Sequence, residues 1–363
     1  MIGKQYLLHQ KVIIFGVRYK WKFNMKVLVT GGAGYIGSHT CVGLLDAGHE
    51  VFVIDNLSNG HEEAIKRIRD ITKCDIGFMN ADIRDSSALN KIFDKFKPES
   101  VIHFAGLKAV GESVVEPLKY YNVNVGGSIN LLEAMDRAGC VNIVFSSSAT
   151  VYGTPKYLPY DEKHPTCPVN PYGQTKLIIE KLIQDWVSIG INRRGTSLRY
   201  FNPVGAHSSG KIGEDPQGKP NNLMPFISQV ASGRLDCLQI FGNDYETKDG
   251  TGSRDYIHVL DLANAHIKTL YCQKNLNQFE VLNIGNGEGV TVFELIKSFQ
   301  RVSGVPINYK LSPRRDGDLP VFWANSSAAI KKLTWEPEFN IDQMCRDSWN
   351  WQKNNPNGYT ETS

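Results

Sequence analysis

From Lys26 onward the chain alternates short apolar runs with longer stretches in which apolar positions recur every three or four residues. The runs over 26–30, 51–55, 76–80, 101–105, 143–147 and 196–201 predict strands. The stretches over 36–47, 61–71, 87–96, 117–138 and 171–187 predict helices. Strand and helix in regular alternation predict an α/β fold, a Rossmann-type doubly wound parallel sheet with helices on both faces. After about Asn202 the rhythm changes: residues 203–222 and 242–253 are rich in Gly, Pro and polar residues, with shorter helical patterns at 224–232 and 260–271. We therefore expect a first domain over 25–202 and a smaller C-terminal lobe over 203–358, partly interleaved with it. Ligands of open α/β sheets lie beyond the carboxyl ends of the strands, where such a lobe would close over them.

Composition changes this picture little. A chain of 363 residues, 41% hydrophobic and 21% charged, has ample material for a core. The net charge of +3 is concentrated: residues 1–24 carry Lys4, Lys11, Arg18, Lys20 and Lys22 and no acid, and removing those five cations leaves −2. Nothing implies a nucleic-acid surface. That segment lacks a signal-peptide core and the Arg/Ser richness of a transit sequence, so we expect a disordered extension, with the functional part beginning near Met25. No apolar run reaches the length of a membrane span. Seven scattered cysteines without a Cys-x-x-Cys read as reduced thiols of a cytoplasmic protein, and the histidine spacings predict no metal site. Glycosylation-type triplets at Asn56 and Asn325 are read as chance.

Two motifs carry the chemistry. Gly31, Gly34 and Gly37 of Gly31-Gly-Ala-Gly-Tyr-Ile-Gly37 follow the first strand and open a helix. The first permits a tight turn, the second lets backbone approach a pyrophosphate, and the third allows close helix–strand packing. Asp55 ends the second strand at the separation expected for a carboxylate on the adenosine ribose. No cation follows it in Asn56-Leu-Ser-Asn-Gly60, which favours NAD over NADP. No Gly-x-x-x-x-Gly-Lys-[Ser/Thr] motif is present, which excludes the P-loop hydrolases.

The second motif is Tyr172-Gly-Gln-Thr-Lys176. A phenol and an ammonium four residues apart share a helix face, and the ammonium is expected to lower the phenol's pKa so that it exchanges protons nearer neutrality. Tyr152-Gly-Thr-Pro-Lys156 has the same spacing, but Gly153 and Pro155 forbid a helix there. Pro171 after Asn170 suits a helix start, and Leu177-Ile-Ile-Glu-Lys-Leu-Ile183 continues it. Beside a nicotinamide, such a pair performs hydride chemistry at a carbinol carbon.

Longer strings then show a family likeness: Gly31-Gly-Ala-Gly-Tyr-Ile-Gly-Ser38, Phe104-Ala-Gly-Leu-Lys-Ala-Val-Gly-Glu-Ser113, Phe145-Ser-Ser-Ser-Ala-Thr-Val-Tyr-Gly153, Arg199-Tyr-Phe-Asn-Pro203, Asn221-Asn-Leu-Met-Pro225 and Gly252-Ser-Arg-Asp-Tyr-Ile-His258. From about Met25 to about Gly358 the chain resembles the UDP-glucose 4-epimerases of the extended short-chain dehydrogenase/reductase family. The resemblance implies that Tyr172 takes the proton of the sugar 4-hydroxyl, that Lys176 binds the nicotinamide ribose, and that Ser148 hydrogen-bonds the same sugar oxygen. As a strand-end cap, Ser148 has Ser146 and Ser147 as equals. NAD would lie along Gly31, Gly34, Tyr35, Ile36, Gly37, Asp55, Asn56, Asp82, Ile83, Phe104, Ala105, Gly106, Lys108 and Phe201. UDP-glucose and UDP-galactose would be held by Lys108, Asn202, Asn222, the Leu223 backbone, Gln239, Phe241, Arg254, Arg315, Asp318 and Phe322. Arg254 and Arg315 suit the diphosphate, because guanidinium contacts phosphate in bidentate fashion.

The implied reaction moves a hydride from sugar C4 to tightly bound NAD+, turns the 4-keto sugar, and returns the hydride to its other face. Galactose metabolism is the implied setting, and a homodimer joined through the helices over 117–138 and 171–187 the implied assembly. Two positions depart from the pattern. Val123 stands where relatives often carry an asparagine, with Asn122 and Asn124 as neighbours. Phe322 of Leu319-Pro-Val-Phe-Trp323 stands where bifunctional relatives carry a small residue, so little activity on UDP-N-acetyl sugars is expected. Competing readings are a dehydratase or decarboxylase and a non-catalytic NAD-binding scaffold. A dehydratase would need Asp-Glu where this chain has Ala149-Thr150. Intact Ser148, Tyr172 and Lys176 weigh against the scaffold.

Overall fold

Seven parallel strands form the central sheet of the computed structural model, which describes residues 12–14, 17–19, 24–218, 220, 222–315 and 318–359. In chain order they are β1 (Lys26–Thr30), β2 (Glu50–Asp55), β3 (Gly77–Asn80), β4 (Ser100–His103), β5 (Asn142–Ser146), β6 (Arg194–Tyr200) and β7 (Phe279–Ile284). Across the sheet the order is β7-β6-β5-β4-β1-β2-β3. Six were expected from the apolar runs. The seventh comes from the C-terminal half and lies beside β6, Leu282 opposite Leu198. Its sequence, Phe279-Glu-Val-Leu-Asn-Ile284, has the character of a strand but none of the helix alternation that marked the others.

Because the sheet is covered on both faces, its strands are apolar on both faces. Val27 and Val29 of β1 join one core with Cys41, Val42 and Leu44 of helix α1 (Tyr35–Asp46), Ile65 and Ile68 of α2 (Glu62–Thr72) and, from the C-terminal half, Leu262 and Ala265 of the helix Val259–Cys272. Leu28, between those valines, joins the opposite core with Leu89 and Phe93 of α3 (Ser86–Phe96), Leu131 and Met135 of α4 (Gly127–Ala138), and Ile179 and Ile183 of α5 (Pro171–Ser188). This alternation is the period-two geometry of a strand.

The helix expected over 117–138 is not continuous. A short helix Pro117–Tyr120 passes into a π-turn, Tyr121–Gly126, before α4 begins. Close packing accompanies it, since a methyl on Gly127 would stand 2.5 Å from Ile83 Cδ1.

The second lobe gathers α6 (Leu223–Ala231), α7 (Val292–Ser303) and α8 (Ile341–Asn354) around Ile227, Leu295, Phe299 and Met344. Thr291 and Glu294 form a capping box at the start of α7. Three small strand groups complete it: Asn202–Val204 with Tyr256–His258, Leu238–Phe241 with Tyr309–Ser312, and Ser253–Arg254 between Val290–Thr291 and Val321–Phe322. Within the extension, Val12–Ile14 and Val17–Tyr19 pair antiparallel, against the expectation of an unstructured segment; its other residues up to 23 lie outside the described residues. Among the described residues no helix is long and apolar enough to cross a membrane.

Candidate active site

A cleft of about 560 Å³ opens beyond the carboxyl ends of β1, β2 and β4, where the strand order reverses and nucleotides bind in this architecture. One end is built by the glycine turn. Gly31 has φ +72° and donates its N–H to Ile54 O at 2.8 Å; a Cβ there would stand 2.7 Å from Ala105 N. A Cβ on Gly37 would stand 2.2 Å from Gly31 O. Gly34 is the N-cap of α1 with no side-chain cap, and a Cβ on it would meet only Gly31 O, at 3.3 Å. The first-turn amides of α1 therefore face the cleft, a preformed anion cradle. Tyr35, Ile36 and Gly37 line it, with the Tyr35 hydroxyl anchored on Gly205 O at 2.6 Å.

Asp55 sits at the tip of β2. Its two oxygens accept N–H bonds from Leu57 (2.9 Å) and Ala33 (3.0 Å), which hold the carboxylate at the cleft with lone pairs to spare for a diol. Burial pushes its pKa up, and those N–H groups oppose the rise. Asn56 donates to Asp82 at 2.9 Å, and the hydrogen bonds of Arg84 hold the Asp82 carboxyl down at about 2. Asp82 and Ile83 line this end. Phe104, Ala105, Gly106 and Lys108 form the adjoining wall. The glycines, the free amides and Asp55 together fit a dinucleotide.

Val123, one of the two departures, also lines the cleft. Asn124 is buried, accepts the Leu107 N–H at 2.7 Å and donates to Leu107 O at 3.1 Å and Thr175 Oγ1 at 3.0 Å. The π-turn carries Asn124 inward, a common use of such insertions at functional sites.

At the other end stands α5. Asn170 caps it, accepting the Gly173 N–H at 2.8 Å, with Pro171 at the first helical position. One turn apart, Tyr172 and Lys176 are both buried and both line the cleft. Lys176 Nζ donates to Ser146 O at 2.8 Å and lies 5.9 Å from the Tyr172 ring centroid. One expectation is corrected here. Burial, aided by Tyr200, raises the Tyr172 phenol well above its ordinary value, while the Ser148 hydroxyl opposes the rise. Burial also draws Lys176 down to about 8, with Glu180 opposing. Desolvation is the largest cause of both shifts.

The serine run is sorted by its partners. Ser146 donates to Tyr200 at 2.9 Å and Ser147 to Glu180 at 2.5 Å, which leaves Ser148 beside Tyr172, with Thr150 donating to it at 2.9 Å. Tyr152 is fully buried against Asn283 and shares no helix face with Lys156.

The substrate-side residues fall into two groups. Lys108 and Asn222 line the cleft and are joined by Glu214, which bonds them at 3.2 and 2.9 Å. The structure does not bring Ser148, Asn202, Leu223, Gln239, Phe241, Arg254, Arg315, Asp318 or Phe322 onto that wall. Arg254 reaches Leu319 O at 2.8 Å and Asp318 at 3.8 Å, and Arg315 lies over Phe241 at 3.7 Å. Phe201, expected along the cofactor, packs instead with Phe322 and Tyr160 in an aromatic cluster. Asn221 lies outside the described residues. Sequence reasoning missed Glu214 and Glu180. Only Glu180 had a readable signal, one turn beyond Lys176.

Comparison with known proteins agrees with this geometry. A family model described as GDP-mannose 4,6 dehydratase matches residues 28–348. The UDP-glucose 4-epimerase of Bacillus subtilis is 52% identical over 335 residues, 92% of this chain and 99% of that one. The crystal structure of UDP-glucose 4-epimerase from Stenotrophomonas maltophila, with bound NAD and formylated UDP-arabinopyranose, is 48% identical with a TM-score of 0.89 over 91% of this chain and 98% of that one. That from Bifidobacterium longum, in complex with NAD+ and UDP, is 46% identical with a TM-score of 0.88 over 92% and 99%. With half its residues shared along nearly its whole length, the chain belongs to the UDP-glucose 4-epimerases, within the extended short-chain dehydrogenase/reductase family.

Proposed function

We propose that the protein interconverts UDP-glucose and UDP-galactose at C4 with NAD held in the cleft. The observation that carries this reading is the placement of Tyr172 and Lys176, one turn apart, on the wall that also contains the glycine turn and Asp55. NAD+ bound there supplies a hydride acceptor and a positive charge near the phenol. Tyr172 takes the 4-hydroxyl proton and later returns it; Ser148 orients the same oxygen; Lys176, anchored on Ser146 O, supplies the positive field and a ribose contact. Lys108, Asn222, Arg254 and Arg315, with Asn202, Leu223, Gln239, Phe241 and Asp318, grip the nucleotide, so the sugar alone is free to turn.

Phe322, packed 5.0 Å from both Phe201 and Tyr160, is held too firmly to yield space for a 2-acetamido group. The Ala149–Val151 turn offers no acid–base pair for a dehydratase. Exposed Val114, Val115 and Leu118 beside α5 support pairing of that face in a homodimer, and seven unpaired thiols support a cytoplasmic setting. The test is conversion of UDP-galactose to UDP-glucose by the purified protein. Tyr172→Phe should lower kcat by about 10²–10⁴-fold with NAD retained. Full activity of that variant would remove Tyr172 as the base.

A further inference from the structure

The substrate lobe converges on one buried residue that contacts neither end of the cleft. Asp255 has no exposed surface. Among the described residues its carboxylate is held not by a cation but by three backbone N–H groups: Asn286 on Oδ1 at 2.8 Å, and Gly287 and Ala324 on Oδ2 at 3.0 Å each. Its own N–H donates to Phe322 O at 3.0 Å, and its C=O accepts both the backbone N–H (3.0 Å) and the side-chain amide (2.9 Å) of Asn202. A methyl on Gly285 would stand 2.6 Å from Oδ2, so the 285–287 turn fits this carboxylate only without a side chain there.

A buried carboxylate is costly unless hydrogen bonds hold its charged form. The three amides favour the charged form, and they come from two separate segments, the turn at Asn286–Gly287 and the residue two beyond Phe322. We propose that Asp255 is a positioning residue: its carboxylate fixes the Phe322 strand and the adjoining Arg254 in register with Asn202, so the lobe presents a preformed grip to the UDP-sugar. The inference rests on the function proposed above, and its effect is on substrate binding rather than on the Tyr172–Lys176 chemistry or the NAD cradle.

The test compares the NAD-loaded wild type with Asp255→Asn. The amide oxygen can still serve two donors, but its NH2 meets the third N–H head on. KM for UDP-galactose and the inhibition constant of UDP should both rise about tenfold or more, the worth of one charged hydrogen bond. NAD content should be unchanged, and kcat should change far less than KM. An unchanged KM, or a joint loss of KM, kcat and NAD content, would overturn the proposal. Should Asp255→Asn fail to fold, Gly285→Ala, which displaces Oδ2 without altering charge, decides the matter: KM must rise there too, and wild-type KM refutes. A wild type that does not convert UDP-galactose at all would instead sink the proposed function itself.

Discussion

Replacing Glu180 with glutamine should damage stability and catalysis by separable amounts. Glu180 and Arg199 are both buried and form a bidentate pair, Nε to Oε1 at 2.9 Å and a terminal nitrogen to Oε2 at 2.6 Å, with Ser147 also on Oε1. Glutamine keeps the shape but leaves the Arg199 guanidinium buried without its anion. Breaking one side of such a pair costs about 3–5 kcal/mol. With about 2.1 cal/mol/K of unfolding entropy per residue, a chain of 363 residues should lose about 4–7 °C of Tm. Glu180 also opposes the burial that draws Lys176 down to about 8, so its neutralisation lowers Lys176 further and moves the basic limb of the kcat profile to more acidic pH. Adding Arg199→Gln should recover much of the Tm, because an apolar or neutral pair replaces a buried ion pair at little cost, while leaving kcat impaired. Thermal unfolding and pH–rate profiles of the two variants measure both effects. A Glu180→Gln protein melting within a degree of wild type, with a superimposable profile, would refute the argument.

Other consequences are simpler. Gly37→Ala puts a methyl 2.2 Å from Gly31 O and must displace the turn; NAD affinity should fall about a hundredfold, the scale of an ångström misplacement, as read by the cofactor content of the purified protein. In wild type, raising the pH through about 8 discharges Lys176 while lowering it keeps the ammonium, so kcat should decline on the alkaline side; a flat profile to pH 10 would contradict the role given to its charge. Phe322→Cys should raise turnover of UDP-N-acetylglucosamine relative to UDP-glucose. If the wild type turns over both comparably, Phe322 is not the discriminating residue.

How much of this was legible depended on the range of the interaction. The first six strands announced themselves because parallel strands buried on both faces are apolar along their whole length. β7 did not, because it follows the irregular lobe and is recruited by β6 from a distant part of the chain. The residue roles show the same division. Gly31, Gly37 and the Tyr172–Lys176 spacing were readable, but the direction of the Tyr172 shift was misjudged: an i,i+4 ammonium is visible in sequence, whereas the burial that raises the phenol is not.

By itself the sequence determined what a turn or a helix face can hold: the glycine cradle, the aspartate closing β2, and a phenol and an amine on one side of α5. These follow from neighbours a few residues apart, whose geometry the backbone sets. Only the tertiary structure decided which serine faces Tyr172, that Asn124 rather than position 123 turns inward, and that Glu214, 106 residues along the chain from Lys108, joins it to Asn222. Those outcomes depend on burial and on partners brought together by packing, and no local pattern records who the partner will be.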